Sequence, residues 1–70
     1  MTSNTEKILR INIKKYREKA GLTQEQLSEL AGISADYLSE IERGKKIPSM
    51  KRFFKIASAL KILPYQLLKP

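Results

Sequence analysis

The chain has 70 residues, 14 of them lysine or arginine against 7 aspartate or glutamate, giving a net charge of +7 with neither histidine nor cysteine. That inventory excludes disulfides, zinc-finger ligands and the commonest transition-metal sites, and a core this small favours support from a second subunit. The excess of positive charge points to an acidic partner, and nucleic acid and anionic lipid both meet that description.

Residues 1–5 read as a flexible N-terminal tail, and no apolar run approaches the ~20 residues needed to span a bilayer. Met1 to Lys7 is polar and lacks the apolar stretch of a signal peptide, so the cytoplasm is the expected compartment. A first helix is predicted over 6–20. Leu9, Ile13, Tyr16 and Ala20 follow at spacings of four, three and four, the inward stripe of an α-helix, and Gly21 ends it. Ile8 and Ile11 lie off that stripe and either widen the core or meet a neighbour.

Thr23 and Gln26 form a capping box that opens a helix over 24–31, with Leu27, Leu30 and Ala31 facing inward. Gly32 follows where the chain must turn with φ > 0, and Ile33 plugs the corner. Ser34 then caps a helix over 35–43. Its Leu38 and Ile41 face the core, while Ala35, Asp36, Ser39, Glu40 and Arg43 lie on other faces.

Gly44 stops that helix, Lys45 to Pro48 forms a basic loop, and Ser49 caps a fourth helix over 50–60. Met50, Phe53, Ala57 and Leu60 make its core stripe, broadened by Phe54 and Ile56. Lys61 and Ile62 lead to a short last helix over 64–68, with Pro64 at its first position. Lys7, Arg10, Lys14, Lys15, Arg17 and Lys19 precede the central helix pair, and Arg43, Lys45, Lys46, Lys51, Arg52 and Lys55 follow it. Such flanking suits phosphates on either side of a helix set in a groove; the competing reading is that the lysines serve solubility.

Taken with their spacing, LTQEQLSELAGIS, YLSEIERGK and the following PS resemble the phage-repressor and Cro-like (Xre-like) helix-turn-helix family, over roughly Leu9 to Leu68. The resemblance implies an all-α, compact five-helix lambda-repressor-like domain over residues 6–70. It also implies a sequence-specific regulator of transcription that binds double-stranded DNA as a homodimer. The third helices of the two protomers would then lie in successive major grooves of a near-palindromic site.

Carried onto this chain, the resemblance makes Arg17 and Glu42 a structural ion pair joining the first and third helices. It makes Ala35, Asp36, Tyr37, Ser39 and Glu40 candidates for base reading. Thr23, Gln24, Ser34, Arg43, Lys45, Lys46, Ser49 and Lys51 become candidates for phosphate contact, and Ile62, Leu63, Tyr65 and Leu68 for the dimer surface. Bland alternatives stand beside these roles: Gln24 as an exposed helix former, Asp36 as an acid stabilised by the helix dipole, Glu40 as part of a solvated face. Two departures matter. Leu63 stands where relatives usually carry a capping Ser or Thr. Ala35 and Asp36 stand where Gln, Asn or Arg most often read adenine and guanine, which leaves the target sequence unread and gives DNA shape a share in specificity.

An enzyme reading is poor, because no glycine-rich phosphate loop is present and Glu40 and Glu42, at i and i+2, point to different faces. No cofactor or metal is expected, no membrane association, and no small-molecule effector domain. Control then falls to the protein's own concentration or to a separate regulatory protein. Prophage repressor, restriction-modification controller and antitoxin fit equally. The rival from another class is a protein-interaction module of the same fold that does not read DNA.

Overall fold

In the computed structural model, which describes residues 3–70, every α-helix begins one residue after a serine or threonine. Ser3 opens α1 (Asn4–Lys19), Thr23 opens α2 (Gln24–Ala31), Ser34 opens α3 (Ala35–Glu42) and Ser49 opens α4 (Met50–Ala59). In each case the hydroxyl accepts from the amide three residues on, at 3.0–3.3 Å, satisfying one of the donors that a helix start leaves unpaired. The cap at Ser3 starts α1 two residues before the expected position near Glu6. Ser3 to Thr5 therefore belong to the helix and its cap, and Met1 and Thr2 of the expected tail lie outside the described residues.

The helices also share one way of stopping. The amides of Leu22, Ile33, Lys45 and Ile62 reach back to the carbonyls of Arg17, Ser28, Glu40 and Ala57 at 2.8–3.1 Å. That closure needs a left-handed residue just before the donor. Gly21, Gly32 and Gly44 supply it at three ends, and Lys61, with φ 58°, supplies it at the fourth.

Ile13, Leu27, Leu38, Ile41, Ile56 and Leu67 are the largest fully buried side chains, so every element contributes to one core. α2 packs on α3 and α4, while α1 packs on α3 and the C-terminal segment. Three residues expected in that core lie outside it: Leu30 (62% exposed), Met50 (67%) and Phe54 (51%). On α2 the inward position beside Leu27 and Ala31 goes to Ser28, whose hydroxyl donates to the Glu25 carbonyl at 2.8 Å, and Leu30 is left on the flank. On α4 the buried stripe is Phe53, Ile56, Ala57 and Leu60; Met50 lies at the exposed start of the helix, and Phe54 is turned by one residue from the stripe. Tyr16 is only half-buried, and Ala20 is exposed at the end of α1.

The expected fifth α-helix over 64–68 is a single 3-10 turn, Pro64–Leu67, so the described residues hold four α-helices, not five. Four residues are too few to offset helix nucleation, and i to i+3 bonds from Gln66 and Leu68 suit so short a piece. Leu63 has no side-chain oxygen to cap it; instead Gln66 Oε1 accepts from the Leu63 amide at 2.8 Å. The turn is held from below by Asn12, buried in α1. Its Nδ2 lies 3.4, 3.0 and 2.7 Å from the carbonyl oxygens of Gln66, Leu67 and Lys69.

Candidate nucleic-acid interface

Three residues, Gly32 to Ser34, join α2 to α3, and both helix starts carry a side-chain cap. At α2 the capping box is reciprocal: Thr23 Oγ1 accepts from the Gln26 amide at 3.1 Å, and Gln26 Oε1 accepts from the Thr23 amide at 2.9 Å. Because Thr23, Ser34 and Ser49 use their hydroxyls as acceptors, each keeps its own O–H hydrogen to donate outward. All three are exposed.

The angle between these helices is set by a buried polar knot. Arg17 Nε donates to Glu42 Oε2 at 2.8 Å, and Arg17 Nη2 donates to Glu42 Oε1 at 3.1 Å. Gln24 Nε2 donates to the same Oε1 at 3.1 Å, and Arg17 Nη1 donates to the Leu22 carbonyl at 2.8 Å. The hydrogen bond to Glu42 raises the Arg17 pKa above its ordinary value, overcoming the opposing effect of burial. α1, the start of α2 and the end of α3 are thereby tied at one carboxylate.

Outward from α3 the structure gathers four side chains. Lys46 Nζ lies 3.4 Å from Glu40 Oε1 and 5.6 Å from the centre of the Tyr37 ring, and the Arg52 guanidinium carbon lies 5.1 Å from the same centre. Both cations are within range for attraction to the ring face. The loop that carries Lys46 is fixed by its backbone, since the amides of Lys45 and Lys46 donate to the Glu40 carbonyl at 2.8 and 3.3 Å. Arg10 of α1 packs against Gly44, whose absent Cβ would lie 3.1 Å from the Arg10 side chain.

The other candidates are placed as follows. Asp36 is exposed in the first turn of α3, and Ala35 and Ser39 are partly covered. Arg43 folds back so that its Nε donates to the Ser39 carbonyl at 3.3 Å. Lys45 and Lys51 are exposed and outside the cluster around Tyr37. Leu63, Tyr65 and Leu68 are exposed and Ile62 is half-buried against the core. Sequence reasoning counted Arg52 in the basic flank but did not single it out as a contact, although a base three residues beyond a helix cap was a usable signal. It also passed over Asn12, a polar residue between Leu9 and Ile13 on the inward stripe.

Among the described residues no helix is long and apolar enough to cross a membrane, and no group of His, Cys, Asp and Glu side chains is arranged to hold a metal. Residues 13–67 match a family model described as helix-turn-helix. The chain belongs to the helix-turn-helix family. It is 34% identical over 64 residues to the uncharacterized HTH-type transcriptional regulator y4dJ of Sinorhizobium fredii, covering 91% of this chain and 83% of that one. The chain spans only 36% of the Mycobacterium tuberculosis HTH-type regulators it also matches. Among solved structures, the hypothetical transcription factor NHTF from Neisseria superposes with a TM-score of 0.90 at 31% identity, covering 96% of this helix-turn-helix protein and 77% of that chain. The restriction-modification controller protein C.AhdI from Aeromonas hydrophila gives 0.85 at 32% identity, covering 89% and 94% respectively.

Proposed function

We propose that this helix-turn-helix protein, a DNA-binding transcriptional regulator, sets α3 into the major groove while capped helix starts and the basic loop hold the phosphates. The observation that carries the proposal is the position of the Tyr37, Lys46 and Arg52 cluster beside the outward side of α3, with Leu38 and Ile41 locked inward. Thr23, Gln24, Ser34, Ser49, Arg43, Lys45, Lys46 and Lys51 serve as phosphate ligands in this reading, and Arg52 joins them. Ala35, Asp36, Tyr37, Ser39 and Glu40 serve as the base-facing set. Regulators of this family act by binding and not by catalysis.

The same proposal has the protein act in the cytoplasm as a homodimer, with half-sites of its operator about 10 bp apart. An apolar groove lined by Leu9, Pro48, Met50, Phe53 and Leu68 supports this, together with exposed Leu63 and Tyr65. Apolar surface left open beside a small core is suited to a second copy. The likeness to C.AhdI over 94% of that chain favours a controller type among the regulators considered.

A salt titration of binding to its selected duplex tests the proposal. Contact with ~6 to 10 phosphates per dimer predicts a loss of about 10³ to 10⁵ in affinity between 50 and 200 mM salt. A protein that shows no saturable duplex binding at low salt is instead an interaction module of this fold.

A further inference from the structure

We infer that Lys46 and Glu40 form an exchange pair: in the free protein Lys46 occupies the Glu40 carboxylate, and on DNA a phosphate takes Lys46, releasing Glu40 to accept from the N4 amino group of a cytosine. The inference rests on the DNA-binding reading above. It starts from one contact, Lys46 Nζ to Glu40 Oε1 at 3.4 Å, made between a lysine side chain that is 51% exposed and a glutamate side chain that is 33% exposed. An ion pair so open to water is weak, and its lysine is readily surrendered to another anion. The Glu40 carboxylate is therefore not a fixed partner of Lys46. The loop itself is fixed, because the Lys45 and Lys46 amides are bound to the Glu40 carbonyl. Only the side chains need to move.

A bare carboxylate on α3 is repelled by the phosphates that flank a major groove. With Lys46 in place, the Glu40 charge is offset as the surface arrives at DNA, and the Arg52 cation over Tyr37 leads. Once Lys46 has a phosphate, the one carboxylate oxygen it held is free. Its complement in the groove is a donor without an adjacent acceptor. Cytosine presents N4–H₂ alone, whereas adenine sets N7 beside N6–H₂ and guanine presents only O6 and N7. N7 faces a carboxylate with repulsion, so cytosine is the base selected. Arg52, 5.1 Å from the centre of the Tyr37 ring, keeps a second cation on this cluster after Lys46 has moved.

The test is selection of bound duplexes from a random pool by wild type, Glu40→Gln and Lys46→Met, followed by affinity against salt on the selected and a scrambled duplex. Wild type should prefer cytosine at one position in each half-site. Glu40→Gln should flatten that position by roughly tenfold while binding the scrambled duplex more tightly, because its Lys46 is no longer held. Lys46→Met should keep the cytosine preference, weaken all sites alike and lower the salt slope by about 1 per protomer. A cytosine preference unchanged in Glu40→Gln, or a slope unchanged in Lys46→Met, overturns the exchange and leaves DNA binding standing. A folded wild type without duplex binding overturns both.

Discussion

Gln24 Nε2 donates to Glu42 Oε1 at 3.1 Å, so the first residue of α2 is tied to the last residue of α3 across the turn that joins them. The second hydrogen on Nε2 is left to point elsewhere, and a phosphate at the start of α2 is its natural acceptor. One side chain can thus brace α3 and hold the DNA backbone together. Gln24→Ala should weaken all duplexes alike, shifting no base preference, and lower stability by about 1 kcal/mol. Fluorescence anisotropy on several sites and thermal unfolding measure the two effects separately.

Arg17→Ala leaves the Glu42 carboxylate buried without its principal cation, and the expected loss is about 3 to 5 kcal/mol. Replacing Arg17 and Glu42 together by Met and Leu should cost far less, which denaturant unfolding of the single and double variants will show. The sign of the pH effect follows from the raised Arg17 pKa. Stability from a raised base is complete below its unfolded pKa and is lost only as pH climbs through the folded value. Between about pH 6 and 10, then, the arginine contributes constantly, and a stability change in that window must come from other groups.

Asn12→Ala removes the donor that faces three carbonyls of the C-terminal segment. The Asn12 contact to Leu67 is buried, so about 1 to 3 kcal/mol should be lost. If Leu68 and its neighbours form the dimer surface, sedimentation should also show weaker self-association. Asn12→Asp is the sharper control, because it sets a carboxylate against the same oxygens and should be worse than alanine.

Lys61→Gly should stabilise the protein by about 1 kcal/mol, since a side chain at φ 58° is strained and glycine is not. Lys61 follows α4 and is outside the proposed DNA-contact set, so duplex affinity should stay unchanged apart from the loss of one charge. A fall in melting temperature would count against the strain argument.

Ser39→Ala and Asp36→Ala should alter preference at particular base pairs, each by roughly 1 kcal/mol or more, without changing the salt slope. Selected-site sequencing is the measurement. Equal effects at every position would move both residues out of the base-facing set.

The caps at Thr23, Ser34 and Ser49 and the three glycine stops were legible because each is settled within five residues, whereas the Ser3 cap and the Lys61 stop went unread. Ser34 and Ser49 announce helices whose first free amides lie three residues away, and Gly44 announces a stop that needs only its own φ and the Glu40 carbonyl. Where reading went astray on α2, the question was which flank of the stripe the core covers. Leu30 and Ser28, two residues and about 200° apart, lie on opposite flanks of the Leu27 and Ala31 stripe, and hydrophobicity favours Leu30. The core covers the Ser28 flank, where the hydroxyl is satisfied on the Glu25 carbonyl, and leaves Leu30 exposed.

By itself the chain's order of residues determined four amphipathic helices, their hydroxyl starts, and a basic loop following the third, since hydrogen bonding within a turn and a 3.6-residue period act locally. Tertiary structure alone decided which polar side chains meet. Gln24 finds Glu42 18 residues away, Asn12 finds the C-terminal carbonyls more than 50 residues away, and Tyr37 receives Arg52 from another helix. It also decided that Met50 and Phe54 face outward, because which side of α4 is covered depends on how the other helices pack against it.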